Sequence, residues 1–173
     1  MGKAAGLVLV LLSAMLLASC ASTGTGGFTR TSQPPAEATD APVAGGVNVQ
    51  GGSEEDFIVN VGRRTFFAEG SAALDDTARM TLDKQAMWLN DHPQWKVKLQ
   101  GFADDPGSAG QQTSLSQKRA DAVRDYLAAK GISSDRMKAK GYGRDRLVGD
   151  CADIECKAQN RRVITNPQEV PEF

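Results

Sequence analysis

GFADDPGSAGQQTSLSQKRA, residues 101–120, is the stretch whose reading decides the fold. It reads as the end of a strand, a polar glycine-rich loop and the beginning of a helix. Ser114 followed three residues later by Gln117 matches a capping box, and Gly131 supplies a C-terminal stop. These signals predict a helix that begins at Leu115. Within it Leu115, Ala122, Val123, Tyr126 and Leu127 form an apolar face at helical spacing. Arg119 lies four residues after Leu115 and four before Val123, on that same face. A guanidinium keeps its proton, so on a half-buried face it needs an anionic partner or must snorkel to water. Asp104, where the loop leaves the strand, is the candidate partner. Two readings stand: an internal Asp104–Arg119 ion pair that pins loop to helix, or two partly free charges facing a ligand of both signs. Spacing alone leaves both open.

Outward from this stretch the chain alternates strands and helices. Trp95, Val97 and Leu99 alternate with Lys96, Lys98 and Gln100, the pattern of a half-buried strand. Met137 and Ala139 alternate with Arg136, Lys138 and Lys140 in another, closed by Gly141-Tyr142-Gly143. Asn160 to Thr165 reads as the last strand, with a tail from Pro167. Upstream, Phe57-Ile58-Val59-Asn60-Val61 reads as a short strand and Thr65-Phe66-Phe67 as a second. Asp75, Asp76 and Thr77 open a helix, with acidic residues near its positive end. Ala78, Leu82, Ala86 and Leu89 give it one apolar face, which Met80 and Met87 are expected to widen as core residues. Asn90-Asp91-His92-Pro93 stops it, and His92 is read as a turn residue there, not as a base or metal ligand. The order β-α-β-α-β-β predicts an α+β domain over residues 55–167, its two main helices packed on one face of a small mixed sheet. Residues 168–173 form a tail.

Composition narrows the function. Twenty basic and 21 acidic residues in 173 give a formal net charge of −1, with no electrostatic case for nucleic acid. Carboxylate pairs are too abundant among 21 acidic residues to signal a wall-cutting enzyme, and no serine or cysteine is accompanied by a plausible base, so an enzyme is not expected. No cofactor is implied.

The N-terminus sets the compartment. Lys3 precedes an apolar run from Ala4 to Ala18, broken only by Ser13. At about 15 residues it is a signal-peptide core, short of the roughly 20 that span a bilayer. Leu17-Ala18-Ser19-Cys20 resembles a bacterial lipobox, which implies a signal peptide over residues 1–19 and acylation of Cys20. Several acyl chains, at about 0.8 kcal/mol per buried methylene, anchor stably where one would not. Ala21 and Ser22, in place of an aspartate, point by the same resemblance to the outer membrane. The residues that follow Cys20, to about 54, carry almost no large apolar side chains and read as a flexible tether. Cys151 and Cys156 remain as an even pair in an oxidising compartment, which points to a local disulfide; zinc is the alternative.

Gly101-Phe102-Ala103-Asp104, Leu115-Ser116-x-x-Arg119-Ala120-x-x-Val123, Gly131-Ile132, Gly141-Tyr142-Gly143 and Asn160-Arg161-Arg162-Val163 together resemble the OmpA-like C-terminal domain family. The likeness spans about 110 residues, in order. It implies that Asp104 and Arg119 grip the ammonium and carboxylate of meso-diaminopimelate in the peptidoglycan stem peptide. Phe102, Ala103 and Gly107 of the loop and Leu115 of the helix start would complete the cradle, with Arg161 beside it. The partners so implied are peptidoglycan, the outer membrane through the lipid anchor, and a Tol-system protein such as TolB. Phe102 and Pro106 stand where polar residues are usual, Gln112 where asparagine is usual, and Ala68 and Gly70 replace aspartates around Glu69. Of these departures Phe102 and Pro106 favour the alternative, a periplasmic protein-interaction module.

Overall fold

Seven residues of alternating character make the central strand. β2 (Trp95–Gly101) buries Trp95, Val97, Leu99 and Gly101 and turns Lys96, Lys98 and Gln100 the other way, as a sheet covered on one face requires. The computed structural model describes residues 49–149 and 153–169. The signal segment, Cys20, most of the tether, Cys151 and the last four residues lie outside them.

β2 pairs in parallel with β3 (Met137–Gly141) and antiparallel with β4 (Arg162–Glu169). β4 pairs antiparallel with β1 (Arg64–Phe66), giving a mixed sheet of order β1-β4-β2-β3. The α+β architecture expected from the sequence is thus present. β4 runs on through Pro167, opposite Val97, where the sequence led us to expect a tail. β1 reaches only Arg162 to Ile164, with one further bond from the Thr165 amide to the Arg63 carbonyl, so β4 is an edge on that side beyond Thr165, and an edge tolerates proline.

Two long helices cover the sheet. α2 (Asp76–Asp91) starts at Asp75, whose carboxylate accepts from the Ala78 amide, and buries Ala78, Leu82, Gln85, Ala86, Trp88 and Leu89. α3 (Ala109–Ala129) buries Gln112, Ser116, Arg119, Ala120, Val123 and Leu127. Its cap is Ser108 with Gln111, a reciprocal box six residues before the expected one. The core joins Leu82, Leu89, Trp95, Val97, Leu99, Val123, Leu127 and Val163.

Three other expectations are corrected. Phe57–Val61 is not a strand: a short helix α1 (Glu54–Asp56), capped by Ser53, widens into a π-type turn over Phe57–Val61. Phe57 goes into the core edge-on to Trp88, ring centres 5.0 Å apart. Met80 and Met87 are 60% and 67% exposed, because at 100° per residue they fall opposite the stripe of Leu82 and Leu89. Asn160, expected to open the last strand, instead ends a short helix, α4 (Ile154–Asn160), and β4 begins at Arg162.

Gly101 and Gly141 are register partners at the ends of β2 and β3. A Cβ on the first would strike the Ser116 carbonyl, and on the second the Gln117 backbone, so α3 crosses the sheet at backbone contact and carries Arg119 to the strand ends. Gly101→Ala should therefore lower the unfolding free energy by about 1–3 kcal/mol or more, seen as a sharp drop in the midpoint of thermal unfolding. Met80→Glu should stay within about 0.5 kcal/mol of the parent in the same assay.

Candidate ligand-binding site

A guanidinium has five N–H donors and no way to shed its charge. Arg119 has no exposed surface, and all five of its donors are answered. Nε donates to the Ser71 carbonyl (2.8 Å), Nη1 to the Phe102 carbonyl (3.3 Å), and Nη2 to the Ala68 carbonyl (3.0 Å). The remaining two fork onto one carboxylate, that of Asp105, at 2.7 and 2.9 Å. The guanidinium also lies 5.5 Å from the centre of the Phe67 ring.

The expected Asp104–Arg119 pair is therefore replaced by Asp105–Arg119. Strand parity explains the choice. Counting on from Trp95, Val97, Leu99 and Gly101, every second residue reaches Asp105, on the helix-covered side where Arg119 hangs. Asp104 falls on the opposite parity and turns to the late loop, accepting from Arg144 (2.9 Å) and Asn160 (2.9 Å). Asn160 is itself fully buried, donates to the Gly149 carbonyl and accepts from the Val148 amide, so Asp104 braces the segment that leads to α4.

Asp105 is held from several sides. Its carboxylate accepts from the Gly70 amide at 2.6 Å, its own amide donates to Gln112 Oε1 at 3.1 Å, and Gln112 Nε2 donates back to its carbonyl. Burial alone would raise the pKa of this carboxyl. The Arg119 bonds, the Gly70 amide and the positive charges of Arg119 and Arg161 outweigh that and hold it below the ordinary 3.8.

Beside this knot lies an open groove of about 490 Å³, lined by Glu69, Asp105, Pro106, Gln111, Leu115 and Lys118 among others. Neither Asp104 nor Arg119 lines it. Of the other residues expected at the site, Phe102 and Ala103 are buried. The Phe102 ring stacks on Tyr142 at 5.6 Å, beneath the Arg162 guanidinium at 4.4 Å. Gly107 sits at the loop tip with φ of +130°, where a side chain would be strained. Leu115 faces the groove from the second turn of α3. Arg161 is buried, with Nε to the Phe67 carbonyl at 3.3 Å and Nη1 4.0 Å from the Glu69 carboxylate. That Nη1 has no hydrogen-bond partner. Cys156 is disulfide-bonded; Cys151, the partner expected from the sequence, and Cys20 lie outside the described residues. Glu69 and Lys118 put opposite charges around one groove, a complement for a zwitterionic group.

Asp105→Ala should cost about 3–5 kcal/mol of unfolding free energy, because it strands a buried cation. Asp104→Ala should cost about 1–2 kcal/mol, because half-exposed Arg144 can turn to water and Asn160 keeps its carbonyl. Urea titrations of both variants check the order. The sign of the pH effect follows from the depressed pKa: Asp105 adds its full stabilisation above about pH 4 and loses it as acid protonates the folded form. Acid unfolding of Asp105→Asn should accordingly be flatter below pH 4 than that of the parent.

Comparison with known proteins adds a second line of argument. The OmpA family model matches residues 66–161. A peptidoglycan-associated lipoprotein of Mesorhizobium japonicum is 39% identical over 95% of this chain and 96% of its own length. One from Agrobacterium fabrum is 36% identical over 91% and 85%. The crystal structure of the peptidoglycan-associated lipoprotein from Burkholderia pseudomallei superposes with a TM-score of 0.59 at 33% identity, covering 61% of this chain and 90% of that one. Matched along nearly its whole length and in its fold, the chain belongs to the OmpA family, in company with peptidoglycan-associated lipoproteins.

Proposed function

We propose that this chain is an outer-membrane lipoprotein that ties that membrane non-covalently to peptidoglycan. A lipid on Cys20 holds one end, a flexible tether spans the gap, and the domain grips the wall. The names of its relatives support the reading, as does the chemistry at α3. The observation that carries it is a permanently charged Arg119 placed one carboxylate below an open groove whose other charges are Glu69 and Lys118. Free diaminopimelate presents an ammonium and a carboxylate on one carbon. The carboxylate suits a guanidinium fork, and the ammonium suits the Glu69 side of the groove, whereas Asp104, the holder expected from the sequence, is turned to Arg144 and Asn160. Leu115 and Gly107 shape the entrance, and Arg161 backs the first loop. Many such grips on one polymer act together, at an effective concentration fixed by the tether. The role is structural binding, not catalysis, and a Tol-system protein such as TolB is proposed as a second partner.

The alternative, a protein-interaction module, drew on Phe102 and Pro106. Phe102 is in the core against Tyr142, so only Pro106 still favours it.

Full-length protein in detergent should sediment with purified diaminopimelate-type peptidoglycan. Arg119→Lys keeps the charge but loses the fork, and should reduce retention roughly tenfold or more, the worth of one charge-assisted pair of about 1.5–3 kcal/mol. A folded parent that stays in the supernatant would refute wall binding.

A further inference from the structure

We infer that Asp105 is an internal stand-in for the ligand's carboxylate, and that a stem peptide binds by exchanging its own carboxylate for that of Asp105 on Arg119. This rests on the wall-binding reading above and adds a residue that sets the affinity. Arg119 has no donor left over and no exposed surface, so a ligand cannot simply add to it. Three of its partners are carbonyls of Ala68, Ser71 and Phe102, fixed in the first loop and the strand end. The fourth is the sole anion, and it is the one that borders the groove. Its forked geometry is the one that any carboxylate would adopt there.

Charge decides how the site must work. A buried guanidinium without an anion is strongly unfavourable, so the seat is never empty: either Asp105 or the ligand fills it. Exchange keeps the charge at Arg119 constant, returns Asp105 to water and takes the ligand carboxylate out of it. The segment that has to swing is short, with Pro106 on the groove side and Gly107 following it at a φ of +130°. The bonds that oppose the swing are the Gly70 amide and the paired contacts to Gln112. Arg161 Nη1, buried and without a hydrogen-bond partner, offers a donor that Asp105 does not use. The apparent affinity is then the intrinsic one reduced by the fraction of molecules in which Asp105 has left.

Full-length protein in detergent, titrated calorimetrically with a free tripeptide ending in meso-diaminopimelate, tests this. Asp105→Asn keeps an oxygen for Gly70 and one arm of Arg119 but removes the competing charge, and should bind about tenfold tighter or more than the parent. Equal or weaker binding by the folded variant, with the parent still binding, overturns the exchange and leaves the wall reading standing. A folded parent that does not bind the tripeptide overturns both. Should Asp105→Asn fail to fold, carboxyl 13C NMR of the parent replaces it. Saturating tripeptide should raise the Asp105 titration midpoint to the ordinary carboxylate range, and an unmoved midpoint overturns the exchange.

Discussion

A cation sealed from water dictates how its surroundings are arranged. Arg119 collects the first loop through Ala68 and Ser71, the end of β2 through Phe102, and the turn before α3 through Asp105. Segments some fifty residues apart are thereby joined at one side chain. A buried ion pair of this kind seldom adds net stability over an apolar replacement of the same volume. Its worth lies in position: a planar fork held rigid at the rim of a groove, by partners of which three are backbone and cannot be changed by substitution.

The two neighbouring aspartates show how a strand end divides labour. Asp105 follows the parity of the covered face and meets α3. Asp104 follows the other and ties Arg144 and Asn160, and with them the path into α4 and the disulfide-bonded Cys156. One peptide unit thus links the groove to the late loop. A displacement of Asp105 would pull on Asp104, so both faces of the strand end feel what occupies the groove.

Much of this was legible in the sequence. Period-two alternation marked β2 and β3, and the stripe of Leu82, Ala86 and Leu89 marked α2. Arg119 stood out because a charge sat on an apolar helical face. What escaped has identifiable physical causes. Phe57–Val61 is apolar and β-branched, so local propensity favours a strand; the Ser53 cap and the docking of Phe57 on Trp88 decide otherwise. Two capping boxes compete before α3, and Ser108–Gln111 prevails even with Gly110 in the first turn. Met80 and Met87 are apolar in type but fall on the wrong side of the helix. Asp104 was preferred to Asp105 as the partner of Arg119, although parity carried on from Trp95 points to Asp105. The groove itself, with Glu69 and Lys118 more than forty residues apart, depends on tertiary packing that no local pattern encodes.

The order of strands bears on how the domain is made. Among the described residues β4 is the last strand, lies between β1 and β2, and is the strand with which β1 pairs. Until Arg162–Glu169 is free to pair, the sheet is two separate pieces and its non-local pairings cannot close. A ribosome or a translocation channel holding the β4 segment therefore keeps the sheet open. The Arg119 partners Ala68 and Ser71 follow β1 and Phe102 and Asp105 follow β2, so the seat of the guanidinium is assembled from the two pieces that β4 joins.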